Sequence, residues 1–128
     1  MDRPTHAGLR HVALNVRDLE AMKRFYVDLL GFAVEWEPDP DNVYLSSGID
    51  NVALHRSEQP PAKGALDHLG LIVREPDAVD RWAAFLESRG VAIDAKPRTH
   101  RDGARSCYFR DPDGNTVQII HHPPISQK

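Results

Sequence analysis

Two imidazoles lead two matching phrases in this chain: 11-HVALNV-16 and 68-HLGLIV-73. A third histidine, His55, and an amide, Gln118, lie in two further segments that match each other, 52-VALH-55 and 117-VQII-120. Imidazole accepts and donates protons near neutral pH and is a common metal ligand. Spacing alone shows why they matter together. In an extended strand successive side chains point to opposite faces. Val12, Leu14 and Val16 then share one apolar face, and Leu69, Leu71 and Val73 share its counterpart. His11, Ala13 and Asn15 face the other way, as do His68, Gly70 and Ile72. Val52 with Leu54, and Val117 with Ile119, take the apolar side of the later strands, leaving Ala53 and His55, and Thr116, Gln118 and Ile120, opposite. Three histidines and an amide thus fall on one type of face at repeat-related positions. A buried polar group there needs a partner, which a metal, water or ligand can supply.

The elements that position these residues are also written twice. Val16-Arg17 corresponds to Val73-Arg74, Phe25 to Trp82, Leu29 to Leu86 and 31-GFAVE-35 to 90-GVAID-94. Tyr44-Leu45 corresponds to Tyr108-Phe109. The expected units run from about 9 to 57 and from about 66 to 122, joined by a polar, Pro-containing linker at 57–65. Each opens with a strand, 10–16 or 67–73. A helix follows. In the first unit Asp18 is the N-cap, Leu19, Met22, Tyr26 and Leu29 form the stripe, and Gly31 ends it. In the second, Pro76 suits the first turn, Val79, Trp82 and Leu86 form the stripe, and Gly90 stops it. Three strands complete each unit, at 32–37, 43–47 and 51–56, then 91–96, 105–110 and 115–121. The last turn is 111-DPDGN-115, with Pro and Gly where a tight turn favours them. The unit is β-α-β-β-β, twice, and two copies suit a closed pair rather than a solenoid.

Composition narrows the function. The chain has 128 residues, a formal net charge of −3 and 27% charged residues. That balance argues against nucleic acid or an anionic membrane surface as a partner. The basic cluster Arg98, Arg101 and Arg105 is broken by Asp102 and reads as a solvated loop or an anion contact. A single cysteine, Cys107, excludes an intrachain disulfide and suggests a reducing compartment. MDRPTHAGLR lacks the apolar stretch of a signal peptide, so a cytoplasmic protein is expected. His6, His121 and His122 near the ends, and His100 in its polar loop, are expected to be solvated.

The paired units, 11-HVALNV-16, 25-FYVDLLGF-32 and 108-YFRDPDGNTVQII-120 resemble the vicinal oxygen chelate superfamily, also called the glyoxalase, bleomycin-resistance and dioxygenase superfamily. The resemblance runs from about Leu9 to His122. It implies an α+β fold, one domain over 1–128, in which two tandem βαβββ units form a curved mixed sheet cup around a divalent metal ion such as Zn, Ni, Mn or Fe. Carried over, the metal ligands are His11, His68 and Gln118, with Ala53 blank where a fourth would stand. Gln118 departs from the family's usual Glu. A neutral donor set leaves the ion's full charge in place, giving a weaker, more Lewis-acidic site.

The resemblance implies a metalloenzyme that chelates adjacent oxygens of a small molecule for isomerase or lyase chemistry. Its alternatives are an extradiol-type dioxygenase and a metal-free, ligand-sequestering protein like the bleomycin-resistance members. His55 is the candidate catalytic base, with a fourth ligand, a substrate donor or a plain rim histidine as its other readings. Tyr44, Tyr108 and Arg105 are candidate substrate contacts. Cross-strand packing is the plainer role for the tyrosines, and solvent exposure for Arg105. A homodimer is the assembly that the resemblance implies, with each cup built within one chain or across two.

Overall fold

The alternation at the start of each repeat becomes a strand. In the computed structural model, which describes residues 1–3, 8–58, 64 and 66–128, β1 is His11–Val16 and its counterpart β5 is Leu69–Ile72. Residues 59–63 and 65 of the expected linker, and His6, lie outside the described residues. The chain divides into two units, Met1–Pro61 and Ala62–Lys128.

In the first unit β1 is followed by α1 (Leu19–Arg24), β2 (Ala33–Asp39), β3 (Asn42–Ser46) and β4 (Asn51–Arg56). In the second, β5 is followed by α2 (Pro76–Ser88), β6 (Ile93–Thr99), β7 (Arg105–Arg110) and β8 (Thr116–His121). Each unit is one mixed four-stranded sheet, ordered β1-β4-β3-β2 or β5-β8-β7-β6. The outer strand pairs parallel to the last strand of its unit, and the other pairings are antiparallel. Two β-α-β-β-β units of α+β class are therefore present, as their sequence patterns require.

Helix α1 begins where Asp18 caps it, its carboxylate accepting the Ala21 N–H at 3.0 Å. The helix then widens. Phe25–Leu29 forms a π-helical turn, in which Leu30 N–H reaches back to Phe25 C=O at 3.2 Å. The wide turn adds a residue and rotates the following side chains. Leu30, 7% exposed, enters the core, whereas Leu29 of the expected stripe stays half-buried. In α2 the buried stripe is Val79, Ala83 and Leu86, with Trp82 half-buried beside it. Both helices end at a glycine, Gly31 and Gly90, each with φ of +81°. That left-handed conformation is the helix-terminating one that a Cβ disfavours.

The core of each unit lies between its helix and sheet. In unit one Leu14, Val16, Val43, Leu45, Val52 and Leu54 are buried with Leu19, Met22, Phe25 and Tyr26. In unit two Cys107, Phe109, Val117 and Ile119 are buried with Val79 and Leu86. The Cys107 thiol is pushed up from its ordinary pKa, chiefly by burial. Among the described residues no helix is long and apolar enough to cross a membrane. The DPDGN turn is organised by Asp111, whose carboxylate accepts the N–H groups of Asp113 at 3.0 Å and Asn115 at 2.9 Å.

Candidate functional site

Strand register lines up the residues that the helices leave uncovered. In unit one, β1–β4 pairing sets His11 opposite Asn51. One step along, Ala13, Ala53, Tyr44 and Trp36 form a row across four strands. The next row is Asn15, His55, Asn42 and Asp39. In unit two the corresponding middle row is Gly70, Gln118, Tyr108 and Ala95. The next is Ile72, Ile120, Ser106 and Arg98. In the middle rows the outer strand carries a small residue, Ala13 or Gly70, and the third strand in the row a tyrosine, Tyr44 or Tyr108.

His11 is exposed, and its Nδ1 lies 2.8 Å from Asn51 Oδ1. The Asn51 amide nitrogen points instead to Glu35 Oε2, at 3.3 Å. A carboxylate only accepts, so this contact turns the amide oxygen toward the imidazole. Nδ1 must then carry the proton, and the lone pair of neutral His11 sits on Nε2. His68 reaches the same state more directly. Its Nδ1 stands 2.6 Å from Asp67 Oδ2, and Tyr108 meets its ring edge-on with centroids 5.5 Å apart. Metal-binding histidines characteristically have one ring nitrogen held by such a partner while the other ligates.

Gln118 is 7% exposed, and its Nε2 donates to the Tyr108 hydroxyl at 2.9 Å. Its Oε1 is left over Gly70, where an added Cβ would stand 3.4 Å away. Glycine in this strand therefore keeps the approach to the amide oxygen open. In all three groups one polar atom is tethered, while the atom able to bind a cation has no partner among the described residues. Each uncommitted atom, an imidazole nitrogen of His11 or His68 or the amide oxygen of Gln118, is of a kind that binds a divalent ion. Among the described residues no three His, Cys, Asp or Glu side chains gather as a metal cluster, and Gln118 is the member without a carboxylate.

The remaining candidates divide. Tyr44 lies on the helix-free face, stacked on Trp36 with centroids 5.2 Å apart and meeting His55 edge-on at 5.9 Å. His55 is half-buried, with its Nδ1 2.6 Å from Asn42 Oδ1. Arg105 has the parity of Cys107 and Phe109, so it sits on the helix side, away from Tyr108. Its Nε and Nη2 donate to the Asp80 carboxylate at 2.8 and 2.7 Å, and Nη1 donates to Thr99. That hydrogen-bonded pair lowers the Asp80 pKa and raises that of Arg105.

His100 is more engaged than a solvated loop residue. Arg98 Nη2 donates to its Nδ1 at 3.0 Å, which leaves the ring proton on Nε2 to donate to Ser106 Oγ at 2.8 Å. This polarity is the reverse of an activating base, so Ser106 is not a primed nucleophile. A cavity of about 620 Å³ is lined by Arg98, Thr99, His100, Arg101 and Asp102.

The sequence reading missed the partners Glu35, Asp39, Asn42, Asn51 and Asp67. Asp67 adjoins His68 in the chain, the one signal that could have found it. Asn51 and Asn42 meet His11 and His55, and Glu35 and Asp39 meet those amides in turn, across strands.

Comparison with known proteins agrees with this architecture. The family model described as Glyoxalase/Bleomycin resistance protein/Dioxygenase superfamily matches residues 8–119. The chain belongs to that superfamily. Within it, the chain is 30% identical over 119 residues to biphenyl-2,3-diol 1,2-dioxygenase 3 of Rhodococcus globerulus, covering 87% of this chain and 61% of that protein's length. It is 31% identical over 118 residues to the glutathione transferase FosA of Serratia marcescens, covering 88% of this chain and 79% of the relative. Among solved structures, an integron cassette protein from the mobile metagenome of the Halifax Harbour sewage outfall superposes with a TM-score of 0.78 at 27% identity. That match covers 90% of this chain and 98% of the other. Superfamily relatives thus carry transferase and dioxygenase names on one shared fold.

Proposed function

We propose that this chain is a divalent-metal-dependent enzyme acting on a small molecule with adjacent oxygens, with His11, His68 and Gln118 as the protein ligands. The supporting observation is the state of those three side chains. Each has one polar atom tethered, leaving Nε2, Nε2 and Oε1 uncommitted among the described residues. Two relatives carry metal-related names: the metallothiol transferase FosB of Staphylococcus epidermidis and a manganese-dependent 2,3-dihydroxybiphenyl 1,2-dioxygenase of Geobacillus genomosp. 3.

When bound, the ion supplies Lewis-acid polarisation of the substrate oxygens. The other roles belong to the chain. Glu35 through Asn51, and Asp67 directly, keep the proton of His11 and His68 on Nδ1. Tyr108 accepts from Gln118 and so has its own hydroxyl proton to donate to a substrate oxygen. Tyr44 walls the face in unit one. Arg105 is left out of this proposal because its guanidinium is taken by Asp80. The absence of a carboxylate at Gln118 favours isomerase or lyase chemistry over the two-histidine, one-carboxylate iron set of dioxygenases.

Metal content measured by mass spectrometry tests the proposal. Protein purified without chelators is loaded with Zn, Mn, Ni or Fe beside His11→Ala and His68→Ala. Stoichiometric metal in the wild type and its loss in both variants is the expected result. Equally little metal in all three, after loading, overturns it and leaves a metal-free binding protein.

A further inference from the structure

We propose that His55 is the proton-accepting group of unit one, held ready by an Asp39–Asn42 relay, and that it acts on a carbon acid. This deepens the preceding proposal and rests on it for the class of reaction. The relay itself stands on separate geometry. Asp39, at the end of β2, accepts the Asp41 N–H at 2.8 Å, which fixes its carboxylate in the β2–β3 turn. Both of its oxygens then receive the Asn42 amide nitrogen, at 2.9 and 3.1 Å. An amide clamped in this way has one orientation, with Oδ1 facing away from Asp39. The β3–β4 register places His55 directly opposite, and its Nδ1 meets that oxygen at 2.6 Å. Because Oδ1 only accepts, Nδ1 carries the proton and neutral His55 presents its lone pair on Nε2.

The ring is held by a second contact. Tyr44, two residues beyond Asn42 on the same strand face, meets it edge-to-face at 79°. Nε2 has no partner among the described residues. The other charges nearby are Asp41 and Arg56, which pair with each other at 2.9 Å.

Unit two shows that the fold does not require this relay. At the matching register positions it builds the same ladder from Ile120 and Ser106, with Arg98 where Asp39 stands. The relay is also placed where the chemistry lacks a base. Neither Ala53 nor Gln118 carries a carboxylate, and His55 is one row beyond Ala53 on its face. In the proposed step the C–H bond beside a carbonyl breaks. Its electron pair moves into the carbonyl to form an enolate, and its proton goes to Nε2. The resulting imidazolium keeps its other N–H on Asn42 Oδ1. The substrate's adjacent hydroxyl passes its proton to the enolate oxygen while the imidazolium returns the first proton to the former carbonyl carbon, which moves the carbonyl by one carbon with no oxidant or reductant.

The probe is 5-nitrobenzisoxazole, in which loss of the carbon-bound proton breaks the ring N–O bond and releases a coloured phenolate. The full chain is assayed after chelator treatment, so the result does not depend on metal occupancy. Wild-type protein is expected to exceed equimolar free imidazole by about a hundredfold. His55→Gln falls to the imidazole level, and Asn42→Ala loses about tenfold. The exchanged pair Asp39→Asn with Asn42→Asp returns an acceptor to Nδ1 and restores the rate. A wild-type rate no greater than imidazole, or His55→Gln equal to wild type, overturns the assignment. Nitrogen-15 spectra of the histidine rings read the relay independently. The His55 proton is expected on Nδ1 in the wild type and shifted toward Nε2 in Asn42→Ala; an unchanged tautomer in that variant overturns the relay. The metal measurement reads His11 and His68 instead, so either proposal can fail alone.

Discussion

The two units share a ladder and differ in what they mount on it. On the helix side Val52 and Leu54 answer Val117 and Ile119, and all four are 7% exposed or less. On the helix-free side Ala13, Ala53, Tyr44 and Trp36 correspond in register to Gly70, Gln118, Tyr108 and Ala95. The next rows diverge further: Asn15, His55, Asn42 and Asp39 are all polar in unit one, whereas unit two divides evenly between Ile72 with Ile120 and Ser106 with Arg98. The reason is mechanical. A side chain packed under a helix is held to size and polarity by close packing. One on the other face meets no helix, even where it is buried as Ala53, Gln118 and Ser106 are, so its type can differ between the units without disturbing the helix packing. Unit one acquired two Asn-held histidines; unit two acquired an Asp-held histidine and a tyrosine-held amide.

The change that bears most directly on the comparison removes the asymmetry at Gln118. Gln118→Glu adds a negative charge to the proposed ligand set and is expected to tighten divalent metal binding at least about tenfold by calorimetry. An unchanged affinity would place Gln118 outside the set. Next come the matched core positions. Leu54→Ala and Ile119→Ala each remove a side chain 1% exposed or less, and each is expected to cost about 2–5 kcal/mol in denaturant unfolding. A large inequality between them would break the equivalence of the two helix-side faces.

The paired glycines should lose less. Nothing lies within 4 Å of a Cβ added at Gly31 or Gly90, so alanine there meets only the backbone penalty of positive φ. Each substitution is expected to destabilise by about 1–2 kcal/mol, and by similar amounts. The smallest effects belong to the exposed ion pairs, and they should appear at opposite ends of the pH scale. A hydrogen bond from Lys23 to Glu37 raises the lysine above its ordinary 10.5. Its contribution is complete below that value and is lost as pH rises through the raised one. The hydrogen bond from Arg105 lowers Asp80 below its ordinary 3.8. Its contribution is present above 3.8 and is lost as pH falls through the lowered value. Lys23→Met should therefore converge with wild type in alkaline unfolding experiments, and Asp80→Asn in acidic ones.

Much of the fold was legible because its signals are local. Strands β4 and β7 occur at 51–56 and 105–110, where alternation and flanking turns put them. Helix ends follow Asp18, Gly31, Pro76 and Gly90. The stripe of α1 was misread by one residue because a π-helical turn breaks the 3.6 period on which the reading relied. Strand alternation sets His11, His55 and Gln118 in the rows opposite in parity to the helix-side residues, whereas His68 lies one residue before β5, although the sequence leads one to expect a strand over 67–73. Alternation also placed Arg105 with the helix-side residues, a consequence that became plain once its Asp80 partner was seen.

By itself, then, the sequence determined the duplicated β-α-β-β-β units and which residues face away from each helix, since both follow from short-range periodicity and capping. Only the tertiary structure decided what those residues do to one another. Asn51 meets His11 across forty positions and Asn42 meets His55 across thirteen. Such pairings arise from the register of hydrogen-bonded strands, in which a slip of one residue would turn every side chain to the other face.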